Sequence, residues 1–264
     1  MTVPYIKIWS MNSNWTREET IIAFYVYCRI PFKDSSKNHP MIQKYARIIG
    51  RSPSALNMKV GNLGRLDPKL KERGIVGLSH GSKIEQQVWN EFYENWDQLS
   101  YEGECLVAEY SNESIERTAN IEIDSLPEGI ERDVMIKQRV NQSFFRDAVL
   151  SSYNNTCCIS GVKNKFLVEA CHISDWKSDK KNRTNPMNGI CLNPFFHKAY
   201  DNYFISITPD YHIDVSDKLL DCLTNGNARS YIQCLNNKQI ILPEKFLPDR
   251  DLLNLNYEKY KASM

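Results

Sequence analysis

The chain has 264 residues, of which 42% are hydrophobic and 11% aromatic, with 33 Lys and Arg against 32 Asp and Glu. This composition is typical of a globular protein with a buried core, and it excludes disordered, collagen-like and coiled-coil chains. No run approaches about 18 apolar residues, and the N-terminal segment lacks a signal-peptide pattern, so we expect no membrane contact. The eight cysteines are scattered, which favours reduced thiols over a disulfide framework or a zinc cage.

The net charge of +1 is an average over three unlike segments. Residues 1–95 carry 14 basic and 8 acidic residues, 96–135 carry 2 and 11, and 136–264 carry 17 and 13. In the acidic stretch, polar residues also replace any apolar periodicity. We therefore predict a helical domain at 1–96, an acidic linker with one short strand at 97–135, and a second domain at 136–264.

Three helices follow one another in the first domain. A capping box at Thr16 predicts a helix over about 16–29 with one buried face. Pro40 and Gly50 bound a second, short helix, and Ser52 caps the third. The two helices that meet at Gly50 have the pattern of a helix-turn-helix.

The second helix of a helix-turn-helix enters the major groove of DNA. An ordinary pair of helices with solvated polar side chains would have the same sequence pattern. The basic charge of this domain favours DNA contact. We predict that double-stranded DNA is contacted by Arg51, Ser54, Asn57, Lys59 and Arg65. A further amphipathic helix over 83–96 should close the helical core.

The second domain begins with a helix and continues with two strands and another helix. FLVEACHIS (166–174) alternates as a strand, a polar loop follows, and NGICL (188–192) is a second strand. Pro194 begins a helix that places His197 and Asp201 one turn apart on the same face. FISITPDYHIDVS then predicts a hairpin.

The strings ACHIS and NPMNGICLNPFFHKAYD resemble the HNH nucleases of the ββα-metal class, in the subgroup found in bacterial restriction endonucleases. The resemblance covers about residues 128–264. It implies a ββα-metal domain in this region, so that with the all-helical, helix-turn-helix-like first domain we expect an α+β protein. It also implies a bacterial enzyme that hydrolyses DNA to 5′-phosphate and 3′-hydroxyl ends, and the missing membrane span and signal peptide lead us to expect it in the cytoplasm.

The resemblance assigns roles to the catalytic residues His172, Asn188 and His197. His172 would take a proton from the attacking water, and Asn188 would position the loop that carries it. His197 and Asp201 would hold one divalent ion, which neutralises charge on the phosphate. Mg2+ is the expected ion, with Mn2+ or Ni2+ as alternatives, and no small-molecule cofactor is expected.

Cys171 departs from the family pattern, in which the residue before the base is often an acidic or histidine metal ligand. A thiolate suits softer cations than Mg2+. Three arrangements stay open: a two-ligand magnesium site completed by water, which we favour; a contribution from Glu169; or a site containing Cys171 that prefers zinc, manganese or nickel.

One active site per chain cuts one strand, so duplex cleavage predicts a homodimer or two sequential nicks. Two other functions fit the same residues. The first is a nuclease that depends on a modified base, and the second is a non-catalytic DNA-binding regulator with a relic HNH domain.

Overall fold

The computed structural model describes residues 14–72, 74, 81–122 and 129–264. The chain divides into two compact units between Ser143 and Phe144, a few residues beyond the expected domain boundary and inside a long helix. The described part of the first unit is helical, whereas the second unit combines helices with small antiparallel sheets. The α+β class is therefore confirmed. None of the described helices is long and apolar enough to cross a membrane.

The helices of the first unit agree with the sequence up to the predicted linker. Thr16 forms the capping box, the Ser52 side chain accepts a hydrogen bond from the Ala55 amide, and Gly50 makes the turn with a φ of 67°. Glycine adopts such a positive φ without steric cost. In chain order the helices are α1 (Arg17–Arg29), α2 (Pro40–Ile48), α3 (Pro53–Gly64), α4 (Pro68–Glu72), α5 (Lys83–Phe92), α6 (Trp96–Ser111) and α7 (Ile115–Thr118).

Helix α1 is the centre of the first unit. Every residue from Glu19 to Cys28 is buried, and the helix packs against α2, α3, α5 and α6. Phe24 stacks on Trp89 of α5 with 4.7 Å between the ring centroids. The sequence predicts only one buried face for this helix, but neighbouring helices cover all of its faces.

The predicted acidic linker at 97–135 is wrong for its first part, because residues 96–111 form the buried helix α6. Its buried face includes Gly103 and Glu104 in addition to apolar residues, so it lacks a clear hydrophobic stripe. A Cβ at Gly103 would lie 2.9 Å from the Tyr25 ring, and the Tyr25 hydroxyl donates to Glu104 Oε2 at 2.6 Å. A small residue and a buried carboxylate thus accommodate a large aromatic side chain of α1.

A buried ion pair joins α3 to α5. Lys59 Nζ lies 2.6 Å from Glu85 Oε1, and the two side chains are 6% and 1% exposed. The backbone amide of Ser82 donates to the other carboxylate oxygen of Glu85 at 3.0 Å. Burial opposes ionisation of Glu85, but the hydrogen bond and charge of Lys59, together with hydrogen bonds from Asn62 and Ser82, hold the pKa of Glu85 below its ordinary value.

We expect Glu85→Gln to lower the free energy of unfolding by about 3 kcal/mol near pH 7, because Lys59 would keep a buried charge without a carboxylate partner. Since the folded-state pKa of Glu85 is lowered, this stabilisation is complete above the unfolded-state pKa and disappears as the pH falls through the folded-state pKa. Urea unfolding near pH 7 and near pH 3 should show the gap between wild type and variant narrowing at low pH. Exposed Glu109→Gln is the control, and an equal gap at both pH values would contradict the prediction.

The second unit begins with the end of α8 (Ile130–Ser152) and contains all the described strands. Its other elements are β1 (Glu169–His172), β2 (Gly189–Leu192), α9 (Pro194–Asp201), β3 (Ile205–Ile207), β4 (Ile213–Val215), α10 (Asp217–Asp221), α11 (Gly226–Gln233) and α12 (Arg250–Ser263). Strand β1 pairs with β2, and β3 pairs with β4, both antiparallel. The predicted order of strand, loop, strand, helix and hairpin is confirmed, with a first strand shorter than the predicted 166–174.

Candidate active site

Strands β1 and β2 and helix α9 form a ββα unit on one apolar core. His172 pairs with Gly189 in the β1–β2 register, and α9 begins two residues after β2. The Asn193 side chain caps α9 by accepting a hydrogen bond from the Phe196 amide at 2.9 Å. The hairpin and the helix thereby bring His172, His197 and Asp201 to the same cleft.

Gly189 is a point of close packing beneath this hairpin. A Cβ at Gly189 would lie 2.2 Å from Val149 Cγ2 and 2.9 Å from Phe145 Cζ. We expect Gly189→Ala to lower the free energy of unfolding by about 1–3 kcal/mol through overpacking. Thermal unfolding tests this against Gly226→Ala, which has no atom within 4 Å of the added Cβ among the described residues. Equal melting temperatures for the two variants would contradict the prediction.

His172 is held in one tautomer. Its Nε2 lies 2.9 Å from the carbonyl oxygen of Arg183, which can only accept, so Nε2 carries the hydrogen and Nδ1 keeps a lone pair. The Phe145 ring stacks on the imidazole with 3.7 Å between centroids, and the Trp176 ring makes a T-shaped contact with 5.4 Å between centroids. Burial lowers the pKa of His172, so the ring is neutral near pH 7 and can accept a proton.

Asn188 fastens the loop that follows β1. Its Oδ1 accepts from the Ser174 amide at 2.7 Å, while its Nδ2 donates to the carbonyl oxygens of Ser174 and Asn182 at 3.1 and 3.0 Å. The side chain is fully buried. All three of these hydrogen bonds go to the loop between His172 and Arg183, so Asn188 fixes the loop that contacts the candidate base His172.

Three side chains of different chemistry converge beside the base. Ligand atoms of Cys171, His197 and Asp201 all lie within 4.8 Å of one another. His197 Nε2 lies 3.6 Å from Asp201 Oδ2, and the Cys171 thiol lies 3.8 Å from Asp201 Oδ1. An imidazole, a carboxylate and a thiol can together hold a divalent cation, and the sulfur favours borderline ions such as Zn2+ over Mg2+.

The Cys171 thiol is completely buried between β1 and α9. Burial first, and then the negative charges of Asp201 and Glu169, raise the pKa of Cys171 well above its ordinary value. The thiol is therefore protonated near neutral pH, and metal binding through sulfur would release this proton.

Glu169 contacts the other nitrogen of the His197 ring. Its Oε2 lies 2.6 Å from His197 Nδ1. With Nδ1–H donated to the carboxylate, Nε2 of His197 presents its lone pair toward Asp201 and the metal-binding cluster. Glu169 thus forms a carboxylate–histidine pair with the candidate ligand His197 and is not itself one of the three clustered residues.

The site opens into a cleft of about 540 Å³. Helix α12 supplies two of its lining residues, which the sequence analysis did not identify. Its lining includes His172, His197, Asp201, Asp175, Asn256 and Lys259.

Comparison with protein families agrees with this geometry. Residues 157–208 match the family model of the HNH endonucleases. The C-terminal unit contains an HNH domain. The match includes both strands of the ββα unit, helix α9 and all the metal-binding and catalytic candidates of the cleft. No curated protein shows a significant match to the chain.

Sequence reasoning missed three groups around the HNH motif. Phe145 lies on α8, ahead of the matched segment, and the carbonyl oxygen of Arg183 has no side-chain signature. Lys259 lies more than fifty residues beyond the matched segment. Only the tertiary structure brings these groups to the HNH residues.

The structure places the five predicted DNA contacts of the first unit in different environments. The prediction for Lys59 is wrong, because its ammonium group is buried against Glu85 and is not accessible to DNA. Arg51 and Arg65 are partly buried and pair with Glu19 at 2.7 Å and Glu85 at 3.4 Å.

The remaining two predicted contacts lie on the accessible side of α3. Ser54 is exposed, and the partly buried Asn57 accepts a hydrogen bond from Ser35 at 2.8 Å. Met58 beside them is 57% exposed. Ser54, Asn57 and Met58 form a short accessible surface of α3 with polar and apolar groups.

Proposed function

We propose that the chain is a metal-dependent DNA endonuclease of the restriction type. The observation that carries this proposal is that a neutral, tautomer-fixed His172 lines one cleft with His197 and Asp201, whose ligand atoms lie within 4.8 Å of one another and of the buried Cys171 thiol. Phosphodiester hydrolysis requires both a base for the attacking water and a cation beside the phosphate. The match of residues 157–208 to the HNH endonuclease family supports a nuclease function for this segment.

In the proposed mechanism, Nδ1 of His172 accepts a proton from water as the water oxygen attacks phosphorus. The P–O3′ bond breaks in line with the attack, which leaves a 5′-phosphate and a 3′-hydroxyl once the leaving oxygen is protonated. Asn188 keeps the loop, and with it the imidazole, fixed during this proton transfer. Cys171, His197 and Asp201 would hold the divalent ion, which supplies positive charge to the phosphate and the leaving oxygen.

The first unit is proposed to recognise the DNA. Helices α2 and α3, joined at Gly50, would present the α3 surface of Ser54, Asn57 and Met58 to the major groove, with Arg51 and Arg65 at its edge. Each chain offers one hydrolytic site, so a homodimer would cut both strands of a duplex.

Incubation of the full chain with methylated and unmethylated genomic DNA, across Mg2+, Mn2+, Ni2+ and Zn2+, tests the proposal. End sequencing should reveal defined cleavage sites with 5′-phosphate ends, and His172→Ala should remove them. Cleavage restricted to methylated DNA would identify a modification-dependent nuclease. Sequence-specific binding without cleavage under any of these ions would identify a non-catalytic regulator and contradict the proposal.

A further inference from the structure

We infer that Lys259 binds a backbone phosphate of the DNA strand in the cleavage cleft, an inference that rests on the proposed nuclease function. Lys259 lies on α12, outside the segment that matches the HNH family. It is exposed and lines the same cleft as His172, His197 and Asp201. The C-terminal helix thus contributes to the site from a part of the chain that the family motif does not include.

Helix α12 is firmly anchored in the second unit. Leu253 and Tyr260 are fully buried. The hydroxyl groups of Tyr257 and Tyr260 donate to the two carboxylate oxygens of Asp214 at 2.8 and 3.1 Å. These contacts fix both the rotation of the helix and its position along the β3–β4 hairpin, so Lys259 projects from a rigid element.

Asn256 ties the same face of α12 to the strand that carries the base. Its Nδ2 donates to the carbonyl oxygen of Ile173 at 3.0 Å, and its Oδ1 accepts from the Ser206 hydroxyl at 3.3 Å. Ile173 directly follows His172 in the chain. Since residues three apart lie on one helix face, Lys259 stands next to Asn256 at the edge of the cleft.

The charge of the cleft indicates what Lys259 binds. Asp175 and Asp201 also line the cleft and repel a phosphodiester, whereas Lys259 is the only Lys or Arg among the described lining residues. Within the described part of the chain, its ammonium group forms no ion pair with a carboxylate. A mobile ammonium group with three donors is well suited to phosphate oxygens, which it attracts as a point charge.

The test compares Lys259→Ala and Lys259→Arg with Lys261→Ala. Lys261 lies on the same helix, but it pairs with Glu258 at 2.6 Å and does not line the cleft. Duplex affinity is measured across a salt series in proteins that also carry His172→Ala, so that the DNA stays intact. Cleavage rates are measured with His172 present, and thermal unfolding verifies that each variant is folded.

We expect Lys259→Ala to weaken DNA binding about tenfold and to reduce the slope of log affinity against log salt by about 0.9, the value for one lost phosphate contact. Lys259→Arg should restore most of the affinity, and Lys261→Ala should match the wild type. If the wild type cleaves DNA while Lys259→Ala keeps the DNA affinity and salt slope of the wild type, the inference about Lys259 is overturned and the proposed nuclease function stands. A wild-type chain that neither binds nor cleaves DNA would overturn the proposed function as well.

Discussion

His172→Ala should reduce metal-dependent DNA cleavage by about 10²- to 10⁴-fold, the usual contribution of a positioned general base. The imidazole is the only group of the cleft that combines a fixed tautomer, a lowered pKa and a position beside the metal-binding cluster, among the residues that the structure describes. Alanine removes the proton acceptor and leaves Cys171, His197 and Asp201 in place. DNA affinity and divalent metal binding should therefore stay close to wild type.

His212→Ala is the matched control for this variant. His212 is a partly buried histidine of the same unit, and it lies in the β3–β4 turn away from the cleft. Rates are compared at saturating metal, with plasmid nicking and linearisation measured separately. Full cleavage by His172→Ala, or an equal loss in His212→Ala, would contradict the assignment of His172 as the base.

The contacts of the candidate site that the sequence anticipates depend on short-range geometry. The helical spacing of His197 and Asp201 places them within reach of one cation, and the structure brings their ligand atoms to 3.6 Å. Asn188 was expected to position the loop that follows His172, and its amide bonds to that loop. In both cases a few residues of regular local structure determine which atoms meet.

The remaining parts depend on packing between distant segments, which periodicity does not encode. Phe145 reaches His172 from α8, and Lys259 reaches the cleft from α12. The sequence alone did not determine the role of Glu169. A residue two positions before Cys171 on the same strand can bind the metal directly, or it can contact a side chain that binds the metal. The 2.6 Å contact with His197 Nδ1 favours the second arrangement.

In the first unit, sequence reasoning misjudged charged and small residues that are buried. Glu104 and Gly103 lie inside the helix bundle because they fit the hydroxyl and ring of Tyr25. Lys59 lies inside because Glu85 neutralises it. A composition-based argument treats such residues as solvent-exposed, so it assigned one segment to a linker and one lysine to DNA.

Asp201→Asn, in the metal-binding cluster, should abolish detectable cleavage. It should also weaken the binding of every divalent ion at least 10- to 100-fold. The carboxylate is the only anionic ligand in the cluster while the Cys171 thiol keeps its proton. Asparagine retains the shape of the side chain but not its charge. Because Asp201 is half-exposed, the free energy of unfolding should change little.

Cys171→Ala distinguishes the ligand sets within the same experiment. If sulfur is a ligand, this variant should lose affinity for Zn2+ and Ni2+ while Mg2+ and Mn2+ binding stays nearly unchanged, since hard ions gain little from a thiolate. Calorimetric titration of wild type, Asp201→Asn and Cys171→Ala measures each ion separately, with exposed Asp221→Asn as the carboxylate control. Proton release on Zn2+ binding, measured in two buffers of different ionisation enthalpy, should disappear in Cys171→Ala.

Unchanged metal affinity in Asp201→Asn would contradict the assignment of the site, because no other carboxylate of the described chain shares a metal-binding cluster with Cys171 and His197.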